Sequence, residues 1–334
     1  MQTRRTNTST VAWWIFGGLM LALAGFFVIQ PLRGRGVEIA PTEVALSPTP
    51  IASPTSLPSP TPPLLFSGEQ AMRHVEAQMA FGPRPTGSEA SRRTADYILA
   101  RLTDVGWDTE TRSFVYQGVE GRNLLGRSGA GGRVFLLGAH YDTRRRADHD
   151  PDHPDQPVPG ANDGASGVAV LLELARVLDL AAVDGEVWLA FFDAEDNGRL
   201  DGWDWIVGSR DFAARLEVTP EYVIIVDMIG DADQDIYLEA NSDPVLQAHL
   251  WTIAADLGYL DYFIPEVRHS MLDDHTPFLE KGIPAVDIID FDYAFWHTTQ
   301  DTTDKVSPAS LERVGRVLET FLEAGGAYPG PEDS

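Results

Sequence analysis

The sequence predicts an α/β fold with a largely parallel sheet, and three observations carry that prediction. Four short apolar runs, Val134–Leu137, Val187–Phe192, Val223–Val226 and Ala285–Ile289, read as buried parallel strands. Asp163 to Glu195 spans 32 residues and Glu195 to Asp227 another 32, about the length of one strand-helix-strand repeat. Between the strands lie segments of helical periodicity, so polar chemistry is expected in the crevice beyond the strand ends.

Taken in chain order, residues 1–10 form a short basic tail and residues 11–30 an apolar segment. Val11–Ile29 has no charge and approaches the roughly 20 residues that cross a bilayer as a helix. Ala22-Leu23-Ala24 has the small-x-small pattern of a signal-peptide cleavage site, but Phe26–Ile29 prolongs the run past it. A retained single-pass anchor is therefore expected, with a cleaved signal peptide as the alternative. Arg4 and Arg5 on one side balance Arg33 and Arg35 on the other, so charge does not orient the span. Residues 31–63, rich in Pro, Ser and Thr, predict an extended stalk. Such a stalk suits an extracytoplasmic domain held off a cell membrane.

Residues 64–325 then read as one catalytic domain and 326–334 as a disordered tail. Within the domain, Val168, Leu171, Leu172, Ala175 and Leu178 share one helical face, with Glu173, Arg176 and Asp179 elsewhere. Further helices are expected around Trp203–Ala214, Pro244–Asp256 and Pro308–Glu323. Arg144–Pro157 reads as a solvated polar loop, with His149 and His153 outside the site.

Composition limits the chemistry. There is no cysteine, so any metal must be held by His, Asp and Glu. A formal net charge of −25 argues against nucleic acid or another polyanion as partner. The acid excess is also compatible with cationic substrates such as peptide amino termini.

Six ordered segments carry the candidate site: GAHYDT (138–143), PGANDGASG (159–167), FFDAEDNG (191–198), VDMIGD (226–231), DDHTPF (273–278) and WHTTQDT (296–302). Asp163, Asp196 and His297 can supply the three ligands of a catalytic zinc. His140 and Asp227 can complete a second site with Asp163 bridging, and Asp142 can fix the ring of His140. Glu195, beside Asp196 but pointing elsewhere, is the candidate general base. Asp273 and Asp274 are placed to serve the site, and His275 to cap the following helix. Trp203, Trp205 and Phe295 read as packing, whereas Trp296 precedes a proposed ligand and must lie near the metal.

Over roughly Leu64–Leu322 these motifs resemble the zinc metallopeptidase family of secreted leucyl aminopeptidases and glutaminyl-peptide cyclotransferases. The resemblance implies a three-layer zinc exopeptidase-like fold with a mixed, mainly parallel sheet flanked by helices. It implies two zinc ions on His140, Asp163, Asp196, Asp227 and His297 for an aminopeptidase, and one on Asp163, Asp196 and His297 for a cyclotransferase. HYD, LLELARVLD, FFDAED, DDHTPFLEKGIP and Trp296-His297 are similar to the cyclotransferase branch. There Asp273 would bind the substrate amine and shuttle protons, Asp227 would support it, and Trp203 and Trp296 would line the pocket. Two positions depart from the pattern: Asp196 is usually Glu, and Asp287 stands where animal cyclotransferases carry His.

Three functions follow as expectations. A cyclotransferase would convert amino-terminal glutamine to pyroglutamate with release of ammonia, an aminopeptidase would hydrolyse the first peptide bond, and an inactive ectodomain would only bind.

Overall fold

The computed structural model describes residues 65–328. In chain order the elements are α1 (Gly68–Met79), α2 (Glu89–Asp104), β1 (Asp108–Tyr116), β2 (Val119–Gly129), β3 (Val134–His140), α3 (Ala165–Val177), β4 (Glu186–Phe192), α4 (Val207–Ala214), β5 (Tyr222–Asp227) and β6 (Ile236–Glu239). They continue as α5 (Pro244–Asp256), β7 (Phe263–His269), α6 (Thr276–Leu279), β8 (Ala285–Ile289), a 3-10 turn at Thr303–Lys305 and α7 (Pro308–Glu323). The expected anchor (11–30) and stalk (31–63) lie outside the described residues. Among the described residues no helix is long and apolar enough to cross a membrane.

Six strands form the main sheet in the order β1-β2-β4-β3-β5-β8, and β6 pairs with β7 separately. The four strands read from the apolar runs are its parallel part. The hairpin β1-β2 adds an antiparallel edge that strand-run reading missed, because β1 alternates exposed and half-buried residues and has no apolar run.

Every parallel strand of the main sheet is buried on both faces, and the alternation sorts its residues between two cores. Phe135, Leu137, Val187, Leu189, Ile224 and Val226 face α1, α2, α3, α5 and α7. Leu136, Trp188, Ala190, Val223 and Ile225 face α4 and α6. This is why the strands read as unbroken hydrophobic runs. The crossover from β3 through α3 to β4 runs one way along the sheet and that from β4 to β5 runs back past β3. The reversal leaves a crevice between the carboxyl ends of β3 and β5.

Three expectations change. The helix predicted from Trp203 starts at Val207, because Gly202 (φ 79°) and Ile206 (φ 55°) adopt left-handed conformations that break helical continuity. Helix α3 is buried all round except at Arg176, which is half-buried, and Glu173 is included in the buried set. Its carboxylate accepts from the Ser67 backbone N–H and from Arg176, so the helix has no solvated face. The start of the expected tail belongs to the domain: the Gly326 N–H donates to the Phe321 carbonyl, and Tyr328 packs edge-on against Tyr222 at 5.8 Å.

Past β8, Asp290 accepts from the Asp235 backbone N–H at 3.0 Å while its other oxygen has no partner among the described residues. Burial, with Asp231 and Asp235 nearby, pushes its pKa up to about 7. A carboxyl raised in the folded state contributes fully below the unfolded value near 3.9 and loses that contribution as pH rises through about 7. Asp290→Asn is therefore expected to match the wild type at pH 4 and to exceed its stability at pH 8. Urea unfolding at the two pH values checks this.

Candidate metal centre

The register of the central strands builds the first half of the site. Gly138 pairs with Ile225, so His140 and Asp227, two residues further along each strand, emerge side by side. The His140 Nε2 lies 3.0 Å from Asp227 Oδ1 and 3.2 Å from Asp163 Oδ1. Its Nδ1 faces Asp142 at 3.6 Å. Burial opposes a charge on His140, but Asp227, Asp142 and Asp163 together outweigh it and hold its pKa well above the usual imidazole range.

Asp163 reaches this point on a loop that only glycine permits. Gly164 has φ 97°, and a Cβ there would sit 2.6 Å from the Asp142 carbonyl oxygen. The loop is fixed by Asp301, which accepts from the backbone N–H groups of Asn162 (2.8 Å) and Asp163 (3.2 Å) and from the Tyr293 hydroxyl (2.7 Å). Arg84, fully buried, completes the clamp by donating to the carbonyls of Tyr141 (3.0 Å), Pro159 (3.0 Å) and Gly160 (2.6 Å). Arg84→Met keeps the volume but leaves three buried acceptors without this donor. Its expected cost is about 3–5 kcal/mol, measured by denaturant unfolding.

Glu195 and Asp196 follow β4 after a left-handed Ala194 (φ 63°). Asp142 accepts from the backbone N–H groups of both, at 2.9 and 3.4 Å, so one carboxylate aligns this turn and faces the ring of His140. His297, itself left-handed at φ 57°, directs Nε2 to Asp196 Oδ1 at 2.9 Å, and Asp163 Oδ2 lies 3.8 Å away. The short Asp196 side chain thus still reaches its partner. Met228, after Asp227, is left-handed as well (φ 48°), so strained backbone collects around the ligands.

Two fully buried triads result, His140–Asp163–Asp227 and Asp163–Asp196–His297, each within metal-ligating reach and sharing Asp163. All five side chains are buried. Asp163 Oδ2 and Asp196 Oδ2 have no hydrogen-bond partner among the described residues. Burial, then the neighbouring Asp163, pushes Asp196 well above the carboxylate range, while burial lowers His297 to about 3 despite Asp163. Orphaned carboxylate oxygens beside a neutral imidazole are the donor set of zinc, whose charge relieves the repulsion.

Glu195 lines the cleft next to this centre with its side chain in no hydrogen bond among the described residues. Burial is the main cause of its strongly raised pKa; His140 opposes it, and Asp273, Asp196 and Asp274 add to it. Burial, then Asp227, brings Asp273 to about 7. The cleft, about 210 Å³, also holds Arg199, Trp205, Met271, Leu272, Phe291 and Trp296.

Several expectations are corrected by this geometry. Trp203 does not line the cleft: it packs with Phe114, Ala194 and Val207, under the Arg145 guanidinium at 4.3 Å. Trp205 lies there instead, its ring 5.9 Å from that of His297 at 13°. His275 makes no capping bond. Its Nε2 lies 3.4 Å from Glu239 and its Nδ1 3.8 Å from Asp287, so this imidazole meets the acid network from a different position. Burial opposes ionisation of Glu239, yet His275 and the backbone N–H groups of Met271 and Asn241 hold it at about 2.

The Arg144–Pro157 loop is solvated at Asp148, His149 and residues 151–157, whereas Arg144, Ala147 and Asp150 are buried. Arg144 is buried, donates to the Asp196 carbonyl (2.8 Å) and grips Asp148 (2.6 and 2.8 Å), which faces His297 Nδ1 at 3.7 Å. Contrary to expectation, His149, exposed, sits edge-on to Trp296 at 4.7 Å and comes within metal-ligating reach together with Asp148 and His297, while His153 is exposed and outside the cleft. Arg84, Arg144, Asp148 and Asp301 were not foreseen as site residues. Isolated charges in turns carry no periodicity that would mark them as buried; only Asp301, inside the WHTTQDT segment, had a signal.

Comparison with known proteins agrees with this architecture. The chain is similar to a Tannerella forsythia glutaminyl cyclase (32% identity, TM-score 0.71, covering 78% of this chain and 99% of that one). It is equally similar to a Zn-dependent exopeptidase from Parabacteroides distasonis (30% identity, TM-score 0.73, 78% and 99% covered). A glutaminyl-peptide cyclotransferase-like protein of Bos taurus is 26% identical over 288 residues, covering 72% of this chain and 71% of that protein. The family profile spans residues 123–322, which include every residue of both triads and Glu195, and the chain belongs to Peptidase family M28.

Proposed function

We propose that this zinc enzyme is a glutaminyl-peptide cyclotransferase that cyclises amino-terminal glutamine to pyroglutamate and releases ammonia. The observation that carries this reading is the asymmetry of the two triads. In the first, His140 Nε2 already joins Asp163 and Asp227 at 3.2 and 3.0 Å, so a protonated imidazole can satisfy both carboxylates. In the second, Asp163 Oδ2 and Asp196 Oδ2 are buried with no hydrogen-bond partner among the described residues, a donor pair suited to a cation. One metal is the stoichiometry that the resemblance implies for a cyclotransferase, and the glutaminyl cyclase similarity supports the same choice.

Zinc on Asp163, Asp196 and His297 would supply Lewis acidity toward a carbonyl oxygen. The protein's own groups account for proton movement. Glu195, which lines the cleft outside both triads with no side-chain hydrogen bond among the described residues, takes a proton from the substrate α-amine and delivers it to the departing ammonia. Asp273, at the cleft wall, binds the amine. Trp296 and Trp205 border the cleft and limit access of water.

The aminopeptidase reading is favoured by one observation, the complete five-ligand set. Incubating the zinc-loaded protein with a Gln-Ala-Ala peptide and reading product mass separates the two. Loss of ammonia alone is the expected result, and loss of the glutamine residue would establish hydrolysis.

We further infer that residues 11–30 tether the enzyme to a cell membrane, with the stalk holding the catalytic domain on the extracytoplasmic side. The uncharged run Val11–Ile29 supports this. Retention of the full chain in carbonate-washed membranes is expected, and release into the soluble fraction would overturn it.

A further inference from the structure

We propose that Arg199 reads a carboxylate carried by the substrate beyond its first peptide bond, so that the enzyme prefers peptides acidic near their amino terminus. The inference deepens the reading of the cleft as a site for peptide amino termini and depends on it.

The cleft is electrostatically polar. Asp163, Glu195, Asp196, Asp227 and Asp273 gather in its wall, and Arg199 is the one Arg or Lys side chain among the described residues that line it. Its neighbours in charge are already neutralised: Arg144 grips Asp148, and Arg145 and Arg146 both reach Asp201, at 3.7 and 2.8 Å. Arg199 is exposed, and among the described residues its side chain forms no ion pair, hydrogen bond or cation-π contact. A substrate whose ammonium meets the acids therefore finds a lone guanidinium further out.

The backbone fixes the point from which this side chain extends. Arg199 (φ 65°), Asp201 (φ 52°), Gly202 (φ 79°) and Ile206 (φ 55°) are all left-handed, which folds 197–206 into a compact clasp. The clasp is tied by Arg199 N–H to the Trp203 carbonyl (2.8 Å), Trp203 N–H to Leu200 (3.0 Å) and Ile206 N–H to Glu195 (3.0 Å). The last bond anchors it to the proposed base. The loop fixes where this side chain is rooted relative to the reacting end, while the free side chain still loses rotamer entropy on binding a carboxylate, which keeps the expected gain modest.

The carboxylate can come from an acidic side chain or from the carboxyl terminus of a short peptide. The test uses the zinc-loaded full chain carrying Glu195→Gln, so that binding is read without turnover. Calorimetry compares amidated Gln-Glu-Ala, Gln-Gln-Ala and Gln-Lys-Ala, and Gln-Ala-Ala with and without its terminal amide. The acidic peptide, the free-carboxylate peptide or both should bind about two- to fivefold more tightly than the neutral one, the range of an exposed ion pair, and the advantage should shrink in salt.

Adding Arg199→Glu should invert the ranking toward the lysine peptide. Arg73→Glu, an equal charge change on the exposed face of helix α1, should leave it unaltered. An unchanged ranking in Arg199→Glu, or the same change in Arg73→Glu, would overturn the proposal. Because the ranking is measured by affinity, it stands or falls separately from whether the wild type releases ammonia or glutamine.

Discussion

Glu195→Gln is expected to lower kcat by about 10²–10⁴-fold, the usual contribution of a positioned general acid–base group, while zinc stays bound. Asp196 points its carboxylate to His297 at 2.9 Å, whereas Glu195, one residue earlier and beyond a left-handed Ala194, has its side chain outside both ligand triads. Glutamine preserves size and polarity but can neither accept the amine proton nor return it. Unchanged zinc content by atomic absorption with lost ammonia release is the expected pair of readings. Loss of both would make Glu195 a ligand, and retention of both would remove it from the chemistry.

Asp163→Asn should have the second large effect, loss of the metal itself. Asp163 is the one side chain common to both triads, and its Oδ2 is among the orphaned buried oxygens. Residues that only support a metal ligand typically cost about 10–100-fold in metal affinity or activity. A shared ligand should exceed that, and ammonia release should fall to background. The loop itself should survive, because the backbone N–H groups of Asn162 and Asp163 still donate to Asp301. Competition with a chromophoric chelator measures the affinity, and thermal melts of both metal-free proteins check the fold.

The parallel sheet was legible because its strands are buried on both faces and announce themselves as apolar runs. The same physics hid β1, whose half-solvated residues form no such run. Helices α5 and α7 were readable to the residue because Asp243 and Ser307 cap them and Pro follows each cap. Helix α4 was not, since four left-handed residues in the clasp before it leave no periodic trace. At the site, the six segments assemble around Asp163 because the strand order carries their ends to one crevice. Trp205 and Trp203 show the limit: two tryptophans two residues apart look alike in sequence, and only the turn decides which one faces the cleft. Arg84 shows it too, since its burial depends on three carbonyls from distant loops.

The central claim is that Asp163, Asp196 and His297 converge on one zinc while Glu195 remains free beside it. Anomalous diffraction at the zinc edge from crystals of the zinc-loaded protein tests this most directly. The expected peak lies about 2.0–2.2 Å from His297 Nε2 and from carboxylate oxygens of Asp163 and Asp196, with Glu195 uncoordinated. A peak ligated by Glu195, or one that leaves Asp196 and His297 unbound, would contradict it.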